Sequence, residues 1–157
     1  VVRPVLAIDA EAEQAFVRGL SLESRRKRFH LPIRELSPAL LRQLTDVDHV
    51  GHVAIVAEAL ASDDAPTIVA DARYVNENGE THFAIAVADA WQGIGLGRAL
   101  MQRLLRYAAR HGIARMVADV ITDNTAMTRL AASFGGRLSM SPHGAGLTRA
   151  HLELAGG

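Results

Sequence analysis

The residues with most chemical content are Gly93-Ile94-Gly95-Leu96-Gly97-Arg98, reached from Val87-Ala88-Asp89-Ala90-Trp91-Gln92 and followed by a helical pattern. A helix start leaves about four backbone N–H groups without partners and carries roughly half a positive charge. Glycines at that point let a phosphate approach the backbone, so the segment is a candidate phosphate site. The alternative, glycines serving only tight strand-to-helix packing, is disfavoured by three of them within five residues at a helix start. Gly93, Gly95 and Gly97 do not satisfy G-x-G-x-x-G, and no G-K-[ST] follows, so dinucleotide and nucleoside-triphosphate loops are set aside. His49 and His52, three apart with no third ligand nearby, do not make a metal site, and no metal is expected. Arg25, Arg26, Lys27 and Arg28 form the one basic run. Such a run is ordinarily a solvated helix face, with contact to substrate carboxylates or a ribose phosphate as the functional alternative.

The elements that must hold this loop follow from the hydrophobic period. Residues 1–8 read as a strand, with Asp9 capping a helix marked by Ala12, Phe16 and Leu20. A second helix covers residues 22–29, and a third starts at Ser37-Pro38 with Leu40, Leu41 and Leu44 on its buried face. The period then drops to two. Residues 53–59, 67–75 and 81–87 read as an antiparallel meander with turns at 62–66 and 76–79. Leu96, Leu100, Leu104 and Ala108 repeat every four residues along the helix after the glycines, which Gly112 closes. A strand over 114–121, a helix over 124–134, a Gly135-Gly136 break and an apolar stretch over 147–154 complete an α+β, or mixed α/β, order.

Composition narrows the class. The chain has 157 residues, 49% of them hydrophobic, which suits one compact domain over 1–157. Lys+Arg and Asp+Glu are both 17, so no net charge draws the chain to nucleic acid or an anionic membrane, and neither partner is expected. The absence of cysteine excludes a thiol nucleophile, a disulfide framework and a cysteine-ligated zinc. No apolar run approaches 18 residues and Arg3 and Asp9 interrupt the start, so neither a spanning helix nor a signal peptide is read, and a cytoplasmic location is expected. Sixteen of the 17 basic residues are arginine and alanine occurs 27 times, a bias of GC-rich coding sequences that points to a bacterial source.

Gln92-Gly93-Ile94-Gly95-Leu96-Gly97 resembles the Q/R-x-x-G-x-G/A acyl-CoA loop of the GNAT superfamily of N-acetyltransferases, placed between the fourth strand and the following helix. Asn124, Met127, Leu130 and Gly135 fall at the spacing of that superfamily's fifth-strand and fourth-helix motif. Residues 20–29, Glu35-Leu36-Ser37 and Asp89-Ala90-Trp91-Gln92-Gly93 are further similar to bacterial protein lysine acetyltransferases of the Pat type, whose domain is often fused to a sensing or synthetase-like domain that 157 residues do not accommodate. The resemblance implies a GNAT fold, a central mainly antiparallel twisted sheet flanked by helices. It also implies acetyl-CoA (coenzyme A) as the acyl-donor cosubstrate. Ile85, Ala86 and Val87 would pair with the pantetheine arm through their backbones. Gln92, Gly93, Ile94, Gly95, Leu96, Gly97 and Arg98 would form the pyrophosphate loop, and Asn124 would contact the pantetheine region, a role compatible with capping its own helix.

Acetyl transfer to an amine requires the neutral amine, and a lysine of pKa ~10.4 loses its proton at pH 7 at a cost of roughly 4 to 5 kcal/mol. The Pat-type base, a fourth-strand glutamate, corresponds here to His82, whose imidazole can serve as a base at neutral pH. Another branch of the superfamily carries its base five residues before the asparagine, which is Asp119 here. Glu80 is a weaker candidate. The tyrosine that acts as general acid in many relatives falls at Ala131, and Tyr107 is read as packing. The implied function is transfer of acetyl to a primary amine, a protein lysine or a small molecule, by direct attack in a ternary complex. A non-catalytic acyl-CoA sensor is the reading of another class, and a homodimer is left open.

Overall fold

The computed structural model describes residues 1–60 and 65–154. The meander is present as β2 (His52–Leu60), β3 (Pro66–Glu77) and β4 (Glu80–Val87), paired antiparallel in sequence order. Asn78 and Gly79, at φ 52° and 80°, make the left-handed two-residue turn whose twist suits a hairpin. Of the turn expected at 62–66, residues 62–64 lie outside the described residues.

Strand alternation separates two cores. Val53, Tyr74 and Phe83 face one side of the sheet, where they meet α4 (Leu96–Arg110). Ala54, Val56 and Ile68 face the other, under α1 (Ala10–Gly19), α2 (Leu22–Phe29) and α3 (Pro38–Thr45). Leu100, Leu104 and Ala108 on α4 are fully buried, as their spacing requires. Ser37 accepts the Leu40 N–H at 3.2 Å with Pro38 just inside α3, the expected cap.

The chain then forms β5 (Arg115–Ile121), α5 (Thr125–Ser133), β6 (Arg137–Met140) and β7 (Leu147–Glu153). With β1 (Val2–Pro4), seven strands make one sheet in the order β1-β2-β3-β4-β5-β7-β6, antiparallel except between β4 and β5. This is a mixed α/β fold with a mainly antiparallel sheet flanked by helices. None of the described helices is long and apolar enough to cross a membrane.

Two expectations at the ends of the sheet need correction. The first strand stops at Pro4 and gives way to a 3₁₀ turn over Ala7–Asp9. Asp9 makes no side-chain cap on α1; its carboxylate takes the Leu6 N–H at 2.7 Å and the Arg3 guanidinium at 2.7 Å. The edge strand β6 was not anticipated, because all four of its residues are exposed and leave no buried face to read.

Candidate active site

β4 and β5 meet only where His82 pairs with Val117. Beyond that pair the strands diverge, so residues 83–87 turn an unpaired backbone edge toward the gap. The gap is a cleft of about 470 Å³ with β4 and the glycine loop on one side and Ala118, Asp119, Asn124 and α5 on the other. That volume falls within the range of small-molecule sites. Ile85, Ala86 and Val87 all line it.

At the end of β4 the Gln92 amide donates to the Val87 carbonyl at 2.9 Å and to Ser24 Oγ at 3.3 Å, which turns the chain into the loop. Gly93 and Gly95 have φ of 77° and 89°, a region that side chains rarely adopt. Among the described residues, the N–H groups from Gly93 to Arg98 have no acceptor, and the first bond of α4 is Ala99 N–H to the Gly95 carbonyl. These free donors at the start of a fifteen-residue helix are an anion cradle made of backbone. The side chains of the loop do other work. Ile94 points to solvent, Leu96 packs on the larger core, and Arg98 donates to Ser133 Oγ at 2.8 Å and lies over the Phe134 ring. Asn124, buried at the cleft wall, accepts the Met127 N–H at 3.2 Å and caps α5. Ala131, the position at which the resemblance would put a general-acid tyrosine, is fully buried.

Helix α2 bridges the mouth of the cleft. On the β4 side, Asp89 accepts from the Ser21 N–H (3.0 Å), Ser21 Oγ (2.8 Å) and Ser24 Oγ (3.0 Å). On the β5 side, Arg26 reaches Asp123 at 3.1 Å. The two stretches of the Pat-type pattern, residues 20–29 and 89–93, therefore touch each other although 68 residues separate Ser21 from Asp89.

The three groups considered as bases belong to one chain of contacts. His82 Nε2 lies 3.3 Å from Glu80 Oε1, and Glu80 Oε2 accepts from Arg149 Nη1 at 3.0 Å. Arg149 also grips Asp119 through Nε (2.8 Å) and Nη2 (2.9 Å), while Ser141 Oγ donates to Asp119 Oδ1 at 2.8 Å. These bonds, with Arg149 foremost, hold the Asp119 carboxyl down at about 2 against the desolvation that would raise it. Both Asp119 oxygens are thus occupied, whereas the His82 ring is half-buried with one carboxylate beside it.

Sequence reading missed His30. It caps α2 in the left-handed region at φ 62° and lines the cleft, where desolvation and then Arg28 lower its pKa. A lone histidine at a helix end carries no spacing signal. His49 and His52 do not converge: His49 Nε2 meets the Val5 carbonyl at 2.9 Å and His52 Nε2 meets Arg73 Nη1 at 2.9 Å. Burial, followed by Arg73, lowers His52 to about 4.

Residues 22–135 match the acetyltransferase (GNAT) family, and the chain belongs to that family. It is 36% identical over 137 residues to an acetyltransferase of Pseudomonas aeruginosa, an alignment covering 86% of this chain and 73% of that one. It is 35% identical over 132 residues to acetyltransferase Pat of Mycolicibacterium smegmatis, covering 82% of this chain but only 38% of that relative. Among solved structures it superposes on the GNAT domain of S. lividans PAT with a TM-score of 0.88 and 28% identity, over 98% of this chain and 89% of that one. The fold is shared with yncA of Salmonella typhimurium, solved with its cofactor acetyl-CoA (TM-score 0.74, 21% identity, 98% and 93% covered).

Proposed function

We propose that the chain transfers the acetyl group of acetyl-CoA to a primary amine and that the amine is a protein lysine. The observation that carries the reading is the open edge of β4 at 83–87 running into the free N–H groups of Gly93 to Arg98. An extended arm can add to that edge as a further strand while its phosphates meet the cradle. Bound there, acetyl-CoA would supply a thioester; attack by a neutral amine forms the C–N bond, the C–S bond breaks, and the coenzyme A thiolate leaves and takes a proton from solvent. Asn124 at the cleft wall contacts the arm.

His82 takes the proton of the incoming amine. Glu80 holds the imidazole in orientation, and Arg149, anchored by Asp119, holds Glu80. Asp119 serves better as that anchor than as a base, since a carboxyl near about 2 with both oxygens bonded has little tendency to accept a proton. The unpaired N–H groups along β4 are available to polarise the acyl carbonyl. Protein lysine is favoured over a small amine by the Pat-type pattern, whose two stretches meet at Asp89 and build the mouth of the cleft.

The test is competition. Lysate proteins and a mixture of small amines are offered together with labelled acetyl-CoA, and the label is followed. Label in protein lysines is the expected result. Label only in small amines overturns the lysine acceptor and leaves acetyl transfer standing; label in neither, with acetyl-CoA still bound, replaces the enzyme with a sensor.

A further inference from the structure

The four consecutive basic residues of α2 differ in what they hold. Arg25 Nη1 donates to the Leu20 carbonyl at 2.6 Å and the Arg18 carbonyl at 3.3 Å. Arg26 pairs with Glu23 at 2.7 Å and with Asp123 at 3.1 Å, and Lys27 lies 3.8 Å from Glu23. Arg28 has neither a hydrogen-bond acceptor nor an ion-pair partner among the described residues. Its guanidinium stands 4.7 Å from the centre of the Phe29 ring and lines the cleft.

The carboxylates nearest Arg28 face Arg73 instead. Arg73 donates from Nε to Asp71 Oδ1 at 2.9 Å and from Nη2 to Asp71 Oδ2, and both residues are buried. Glu13, buried beside them with Oε1 3.8 Å from Arg73 Nη2, is pushed up by burial and by the neighbouring Asp71. Asp71 and Glu13 thus pair with Arg73, and among the described residues no carboxylate lies within ion-pair distance of Arg28. Burial lowers Arg28 to about 10, which leaves it a cation at neutral pH. A guanidinium presents a planar fork that matches a carboxylate with two parallel bonds.

The position of Arg28 separates it from the phosphate cradle. Asp71 and Arg73 pair across the sheet with Ala86 and Ala84, which line the cleft on the stretch of β4 before the loop. Phosphates of the donor are met at residues 93–98, whereas Arg28 stands in the last turn of α2, with Asp71, Arg73 and His30 as its charged and titratable neighbours.

We propose that Arg28 binds a carboxylate carried by the acceptor, so that the preferred substrate is an amine with a carboxylate close by. This rests on the acetyl-transfer reading above. The carboxylate has two sources, the α-carboxylate of a free amino acid or an acidic side chain beside a lysine in a polypeptide. Arg28 selects for either through the same fork.

The experiment uses two matched pairs of acceptors: L-lysine against lysinamide, and a lysine peptide with a neighbouring glutamate against the same peptide with glutamine. The kcat/KM of each is measured for the wild type, Arg28→Met and Arg28→Lys. The wild type is expected to prefer the carboxylate member of one pair by about 10²-fold. Arg28→Met should bring that ratio close to one while the KM for acetyl-CoA stays within about twofold, and Arg28→Lys, which keeps the charge and loses the fork, should restore only part of it. Preference within the first pair assigns the carboxylate to a free amino acid, and preference within the second assigns it to a polypeptide. Equal use of both members by the wild type, a preference that survives in Arg28→Met, or a raised KM for acetyl-CoA overturns the proposal while acetyl transfer stands. No acetylation of any acceptor by the wild type overturns acetyl transfer and this proposal with it. Should Arg28→Met not fold, the ratio in Arg28→Lys decides alone, and an unchanged ratio there overturns the proposal.

Discussion

The two halves of the cleft are made of different material. The loop half is backbone: free N–H groups from Gly93 to Arg98, set by left-handed glycines and braced by α4, whose Leu100, Met101 and Leu104 are fully buried in the larger core. The α2 half is side chains: the residues of that helix are half-buried or exposed, and exposed bonds to Asp89 and Asp123 hold it across the mouth. Exposed pairs contribute about 0 to 1 kcal/mol each, so the α2 wall is the softer of the two. A backbone cradle accepts one kind of ligand whatever the side chains are. A wall of side chains can be rebuilt for a different acceptor without touching the cradle.

The largest effect that separates the halves is on turnover. Replacing His82 with alanine is expected to lower kcat by about 10² to 10⁴ and to leave acetyl-CoA binding intact, because the ring is half-buried near the point where β4 and β5 part and lies outside the loop. Steady-state rates together with donor titration check this. Near-full activity would pass the role of base to water or to another group, with His30 next in line.

Breaking the cradle should show the opposite pattern. In Gly95→Val the added Cβ meets no neighbour within 4 Å, but φ of 89° is strained for any residue with a Cβ, at a cost of about 1 to 3 kcal/mol. The free protein should melt several degrees lower, and the rise in melting temperature on adding acetyl-CoA should largely vanish. Equal stabilisation of variant and parent by the ligand would remove the cradle from the donor site.

This contrast also governs what could be read in the sequence. Backbone sites advertise themselves: the glycines and the fourfold repeat of Leu96, Leu100, Leu104 and Ala108 specify both the turn and the helix that braces it. The β-meander was legible for a related reason, since its strands are apolar runs rich in β-branched residues and the Asn76 to Gly79 turn marks where one of them ends. Side-chain sites are not legible, because contacts such as Glu80 to Arg149 join positions 69 apart that no local pattern links. His82, Glu80 and Asp119 could be suspected singly, but only the fold joins them through Arg149. Likewise Arg28 was indistinguishable from Arg25, Arg26 and Lys27 until each of those had found its partner.

A smaller effect tests whether Asp119 is an anchor. Asparagine in its place leaves Arg149, which is largely buried, without its main partner, and should destabilise the fold by about 1 to 3 kcal/mol. Because Arg149 holds the Asp119 carboxyl near about 2, below its unfolded value of roughly 4, its contribution is complete above the unfolded value and is lost as pH falls through the folded one. The difference in denaturant midpoint between wild type and variant should therefore be constant at about pH 5 and above and shrink between about 4 and 2. A difference that does not depend on pH would mean that the carboxylate charge is not what Arg149 needs.

The smallest effect probes the seam between the halves, at Gly97. Its φ lies outside the left-handed region, and a Cβ there would stand 3.7 Å from Val87 Cγ2 and 4.0 Å from Leu130 Cδ2, both ordinary contacts. Alanine is also the better helix former by about 0.5 to 1 kcal/mol, so Gly97→Ala should leave the free protein as stable as before or slightly more so. Val87, Gly97 and Leu130 all line the cleft, and the added methyl narrows the passage where the arm on β4 meets the phosphate loop. Affinity for acetyl-CoA should fall by about 3- to 10-fold, with no change in the preference between acceptors. Calorimetric titration of acetyl-CoA with both proteins measures it. Unchanged affinity would mean that the donor passes Gly97 at a distance, leaving Gly93 and Gly95 as the points of close approach; a changed acceptor preference would mean that the two halves are coupled through α4.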